Sequence, residues 1–111
     1  MATTYKRLGA IASTGTIGTG DTTYTVPAST AAVISTISVC NTAASAATYR
    51  IAISTTTSFV TAGYIVYNAT VAANETVLLT CGFTMDTTNK YLLTSASAST
   101  VSFSVFGSEI S

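Results

Sequence analysis

The 111 residues predict an all-β chain: a single antiparallel β-sandwich, jelly-roll-like, of about eight short strands. Three observations lead there. Apolar residues recur with a period of two along most of the chain, as a pleated strand imposes when successive side chains point to opposite faces. Turn signals fall every ~8–12 residues. No stretch carries the i, i+3, i+4 apolar stripe of a helix, and β-branched residues dominate, with 24 threonines.

Taken in order, Tyr5 to Ile11 alternates as a first strand, and Ser13 to Asp21, with three glycines, reads as a loop. Thr22 to Val26 is a short strand closed by Pro27, which cannot donate to a ladder. The organising stretch is Thr25 to Ile53. It reads as a long strand, a small-residue turn (NTAASAA, Asn41 to Ala47) and a second strand returning beside the first. Val33, Ser35, Ile37 and Val39 are expected on one face and Ile34, Thr36, Ser38 and Cys40 on the other. Thr55 to Gly63 lacks a period and is expected to cross between layers. Tyr64 to Ala69 and Thr76 to Phe83 are strands around a turn at Asn74-Glu75, with Gly82 at a candidate bulge. Tyr91 to Ser97 and Val101 to Gly107 read as a final hairpin. No domain boundary or internal repeat shows, so residues 1–111 form one domain, with 1–8 as a candidate N-terminal arm.

Composition narrows the function. Hydrophobic residues make up 48% and charged residues 7%, against about 25% in an average soluble domain, so disorder is excluded. Ser or Thr interrupts every apolar run, leaving none near the ~18 residues of a membrane helix. Lys6, Arg7, Arg50 and Lys90 balance Asp21, Glu75, Asp86 and Glu109. Four scattered cations make no field for nucleic acid. A surface this poor in charge is weakly soluble alone and calls for coverage by partners. The N-terminal MATTYKRLGAIAS lacks the apolar core of a secretory signal, so synthesis in the cytoplasm is expected.

The residues of catalysis are sparse. There is no histidine, which removes triads, most zinc sites and the commonest general base. Glu75 and Asp86 bracket one strand and are too far apart for a glycosidase pair. Asp21 after Gly18-Thr19-Gly20 lacks the further acidic positions of a calcium loop. Gly15, Gly18 and Gly20 lack the lysine and helix of a phosphate cradle. Cys40 and Cys81, on opposite faces of different strands, are expected as free thiols. Two sequons, Asn68-Ala69-Thr70 and Asn74-Glu75-Thr76, are expected by chance in so threonine-rich a chain. No enzyme activity, cofactor or metal is expected.

Phe103, in phase with Val101 and Val105, belongs to the core, and Phe106 falls on the opposite face. Tyr64 and Val66 alternate with Ile65 and Tyr67, so this strand is apolar on both faces and is either covered twice or lies at an interface. Exposed tyrosines also suit a carbohydrate platform, although tryptophan is absent. Lys6 and Arg7 sit on the candidate arm or on a guarded edge. Arg50 points outward and is a candidate to cross an interface to a carboxylate such as Glu109.

The segments TVPA (Thr25 to Ala28), VISTISVCN (Val33 to Asn41), TYRIAIS (Thr48 to Ser54) and VSFSVFGSEIS (Val101 to Ser111) resemble a group of small virion structural proteins of tailed bacteriophages, common among phages of marine and cyanobacterial hosts. The likeness runs from about Tyr5 to Ile110. It implies a β-sandwich present in many copies on a particle, with no catalytic residues to carry over. It also implies virion proteins as partners, with the major capsid protein favoured over neck or tail proteins, and a homo-oligomer. Expected contact residues are Tyr5, Lys6, Arg7, Arg50, Tyr64, Tyr67, Phe106 and Glu109. A decoration or cement role is favoured. A neck, tail or fibre component, including a glycan-binding receptor module, and a self-assembling filament subunit are the alternatives.

Overall fold

A computed structural model describes residues 3–111. Eight strands are present: β1 (Thr3–Ala12), β2 (Asp21–Thr25), β3 (Ala31–Asn41), β4 (Ala47–Ser54), β5 (Tyr64–Val71), β6 (Thr76–Met85), β7 (Tyr91–Ala96) and β8 (Val101–Ile110), with one 3-10 turn at Thr61–Gly63. They form two four-stranded sheets, ordered β1-β8-β3-β6 and β2-β7-β4-β5. Every pairing is antiparallel.

This order has a simple logic. β4 pairs with β5, β3 with β6, β2 with β7 and β1 with β8, so the chain is one long hairpin whose arms fold together into two layers. That is the jelly roll, in which all connections but β4–β5 pass from one sheet to the other. Three expectations are corrected by it. β3 and β4 are not a hairpin, since β3 lies in the first sheet and β4 in the second, and Thr42 to Ala46 turns the corner between them. β7 and β8 are likewise in different sheets. Conversely, Thr55 to Gly63 does not cross between layers, because β4 and β5 are neighbours in one sheet.

The core lies between the sheets. Ile34, Ile37 and Val39 of β3 and Val101, Phe103 and Val105 of β8 face Tyr49 and Ile51 of β4 and Leu92 of β7. Tyr49 meets Phe103 edge to face, with ring centroids 6.2 Å apart. Ile34 and Ile37 are both fully buried, which strict alternation forbids. The cause is a bulge: Ile34 and Thr36 pair with Gly107 and Phe106, so β3 carries one residue more than β8 at Ser35. The irregularity crosses the sheet, since β1 shifts register between Arg7 and Gly9, and Cys81-Gly82 of β6 lie opposite Ser35. Gly82 therefore does mark a bulge.

The expected arm is also corrected. Thr3 to Leu8 belongs to β1 and lies along β8 as the edge of its sheet. Met1 and Ala2, the first residues of that arm, lie outside the described residues.

Asn41 closes one end of the sandwich. Its side chain is buried and fully hydrogen-bonded: Nδ2 donates to the carbonyls of Ser45 (2.8 Å) and Ala72 (3.2 Å). Its Oδ1 accepts from Ala43 N (3.1 Å) and Thr100 Oγ1 (3.2 Å). Three inter-strand loops are thereby tied to one side chain.

Candidate functional site

The two outer faces differ. On the β2-β7-β4-β5 sheet, Leu93 and Ser95 of β7 point away from the core yet are fully buried. The loop before β2 covers them. Ser95 Oγ donates to the Ile17 carbonyl at 2.7 Å, and Gly20 packs against Leu93 and the Phe59 ring. On the β1-β8-β3-β6 sheet the strands alternate regularly on either side of the bulge line. Ser102, Ser104, Phe106 and Ser108 of β8 point outward beside Thr36, Ser38 and Cys40 of β3, all half-buried, and among the described residues no loop side chain hydrogen-bonds to them. Tyr5 and Arg7 on β1 and Thr76, Leu78 and Thr80 on β6 complete this face. Among the described residues Arg7 is the only charge that the register places there.

Two apolar side chains stand out on it: Tyr5, 68% exposed, and Leu78, 66% exposed. Tyr5 reaches over β8 to share a 2.8 Å hydrogen bond between its hydroxyl and that of Ser35, which also donates to the Phe106 carbonyl at 3.1 Å. Leu78 escaped the expected contact set. Its signal was present, because Val77, Leu79, Cys81 and Phe83 define the inner phase of β6 and leave Leu78 among threonines.

Lys6 and Glu109 point the other way, into the seam between sheets. Glu109 accepts the Tyr24 phenol at 2.5 Å and lies 3.1 Å from Lys6 Nζ. The Tyr24 hydrogen bond, with Lys6 adding to it, holds the Glu109 carboxyl below its ordinary range. Burial pushes the Tyr24 phenol well above its ordinary value, and the adjoining carboxylate raises it further. Glu109 thus ties β1, β2 and β8 together, and within the chain its partners are Tyr24 and Lys6, not Arg50.

Arg50 has its own setting. It lies outward on β4, where Nε donates to Asn68 Oδ1 (2.8 Å), Nη1 to the Tyr64 hydroxyl (3.4 Å) and Nη2 to the Tyr67 hydroxyl (3.2 Å). Its guanidinium carbon sits 4.2 Å from the Tyr67 ring centroid. Tyr64 and Tyr67 meet edge to face at 4.9 Å, and Phe59 flanks Tyr64 at 5.0 Å. Alternation had put the two tyrosines on opposite faces. The register shift between Ile51 and Ala52, which leaves Ile65 unpaired between Tyr64 and Val66, brings them together. With Thr61 they line an open hollow of about 470 Å³. Thr61 on its wall, Phe59 beside Tyr64 and Asn68 beside Arg50 are not among the expected contact residues. Thr55 to Gly63 shows no period, so nothing in the sequence says that it folds back onto the sheet.

The carboxylates are held in turns and seams. Asp21 accepts from Thr14 N and Oγ1, Glu75 from Ala72 N, and Asp86 from Thr88 N and Asn89 N. Both cysteines are free thiols, and burial pushes the Cys81 thiol up, away from reactivity. No group of three or more metal-binding side chains occurs among the described residues. No helix among them is long and apolar enough to cross a membrane.

No protein-family model and no curated protein matches the chain. Among solved structures, a chain in "Structure of infectious bursal disease virus Gx strain" aligns with a TM-score of 0.49 and 11% identity. The alignment covers 97% of this chain and 31% of that one, so this chain spans about a third of its length.

Proposed function

We propose that the protein is a non-enzymatic structural subunit of a virion, and most specifically a capsid decoration protein that stabilises the particle by covering seams between major capsid subunits. The observation that carries this reading is the bare outer face of β1-β8-β3-β6, where a single charge, Arg7, accompanies hydroxyl, alanine and exposed apolar side chains. Such a face loses little by desolvation, because few charges must give up water, and gains roughly 25 cal/mol per Å² of apolar area covered, before association costs. The motif resemblance agrees, and four carboxylates already engaged in turns and seams leave no acid–base pair for chemistry. Partners are then other virion proteins and further copies of the chain, in a virion assembled after cytoplasmic synthesis, without nucleic acid or membrane contact.

The test is light scattering after size exclusion, alone and with emptied particles added. Depletion of the free chain onto capsids supports decoration. A ring-sized species that ignores capsids overturns it in favour of a neck or tail position, and polymers of no fixed size favour a filament.

A second reading rests on the Thr61–Tyr64–Tyr67 hollow, with Arg50 bonded to both tyrosines, whose rings and hydroxyls suit a sugar face. A receptor module would give a saturable glycan-array signal that Tyr67→Ala removes. No glycan signal leaves the hollow as a protein contact.

A further inference from the structure

We propose that β6 is a self-pairing edge, through which two copies join into one continuous eight-stranded sheet about a two-fold axis at Leu78. A β-sandwich has four edges, and three of them here are guarded. β1 carries Lys6 and Arg7 and a register shift; β2 is only five residues long and is also shifted. β5 is broken by register shifts and the positive φ of Asn68. β6 has ten residues, no charge and no proline, and its one register shift lies at Cys81-Gly82, past the segment that pairs. From Thr76 to Thr80 it runs in unbroken register with Cys40 to Thr36.

The ladder fixes which backbone groups of β6 are unpaired. Asn41 N donates to the Glu75 carbonyl at 2.9 Å, so 41 and 75 are a hydrogen-bonded pair. Antiparallel pairs alternate between bonded and non-bonded, so 39 with 77 and 37 with 79 are bonded as well. The N–H and C=O groups of Thr76, Leu78 and Thr80 therefore point away from β3, along the free edge.

A second β6 placed antiparallel about Leu78 meets these groups with its own. Leu78 faces Leu78 of the second copy, and Thr76 faces its Thr80, giving up to about six inter-chain hydrogen bonds. The side chains agree with this register. Leu78, 66% exposed on the free chain, packs on its counterpart, each threonine meets a threonine, and Val77 meets Leu79 on the inner side. Glu75 and its counterpart fall about 20 Å apart, beyond the screening length of ~8 Å at physiological salt. Because the contact is isologous and the other edges are guarded, the assembly closes as a dimer and does not extend into a fibre.

Two substitutions on the full-length chain test this. Leu78→Lys sets two ammonium groups opposite each other at the axis, whereas Thr84→Lys lies beyond the paired segment. The expected result is a wild-type mass of twice 11.3 kDa that halves in Leu78→Lys and persists in Thr84→Lys. Leu78→Cys should give a disulfide-linked dimer under mild oxidation, since bonded antiparallel pairs hold their Cα atoms about 5.5 Å apart, within disulfide reach. Wild type, with Cys40 and Cys81, controls for the native thiols and should not cross-link. A monomeric wild type, a dimer unchanged by Leu78→Lys, or no cross-link from Leu78→Cys would each overturn the proposal.

Discussion

Tyr24 of β2 donates its phenol hydrogen to Glu109 of β8 at 2.5 Å across the seam between the two sheets, and Lys6 of β1 lies 3.1 Å from the same carboxylate. Tyr24 is buried and Glu109 only 16% exposed at its side chain, while Lys6 is half in water. The energetic weight therefore sits on the tyrosine, and the lysine pair contributes less than about 1 kcal/mol.

A pH dependence follows from the two shifts. Glu109 titrates lower in the folded chain than in the unfolded one, so its contribution is whole above pH 4.5 and is lost as the pH falls through the folded value. Tyr24 titrates higher when folded, so its contribution holds below pH 10.0 and is lost as the pH rises beyond it toward the folded value. Tyr24→Phe should cost about 2 kcal/mol at neutral pH and flatten both limbs of a plot of urea midpoint against pH. Limbs as steep as in the wild type would show that other groups govern them.

Asn41 should be as sensitive as any large core residue. Asn41→Asp replaces a donor to the Ser45 and Ala72 carbonyls with a third acceptor, and places a charge in a buried site. A loss of about 3 kcal/mol is expected, and slightly less for Asn41→Ala. The measurement is chemical denaturation, with amide exchange at Ala43 reporting the loop tie. A loss under 1 kcal/mol would mean that the loops hold one another without it.

These features also show what a period of two can and cannot tell. Where the ladder is regular the alternation assigns faces correctly: Val77 and Leu79 pack inward, and Phe103 is core while Phe106 turns outward. It fails at Ser35 and between Tyr64 and Tyr67, because one extra residue inverts the phase and leaves no mark in composition. It fails again over which strands pair. Thr42 to Ala46 is short and small-residued, which suits a hairpin and a corner between sheets equally well. Arg50, Tyr64 and Tyr67 were thus individually legible, but their meeting depended on bulges that the sequence does not announce.

The bulge line makes a further prediction at Gly107. A Cβ there would overlap the Val33 carbonyl oxygen and crowd the Ile34 Cα, both backbone atoms of β3. Gly107→Ala should therefore cost about 2–3 kcal/mol or prevent folding, by forcing β8 away from β3. Gly82 sits on the same line, where a Cβ meets nothing within 4 Å, and Gly82→Ala should be neutral or slightly stabilising. Equal thermal midpoints for the two variants would contradict this assignment of space.

The Thr61–Tyr64–Tyr67 hollow can be separated from the outer face of β1-β8-β3-β6 by dissecting one side chain. Tyr67 is 58% exposed, so its truncation should change stability by less than about 1 kcal/mol. Tyr67→Phe removes only the hydroxyl that accepts from Arg50 Nη2 and leaves the ring 4.2 Å from the guanidinium carbon. Tyr67→Ala removes both and leaves one wall of the hollow open. If the hollow is the attachment point, emptied particles titrated with labelled chain should bind Tyr67→Ala at least about tenfold more weakly, with Tyr67→Phe close to wild type. Equal affinity for all three would transfer attachment to the β1-β8-β3-β6 face, where Tyr5→Ala would then be the substitution that weakens it.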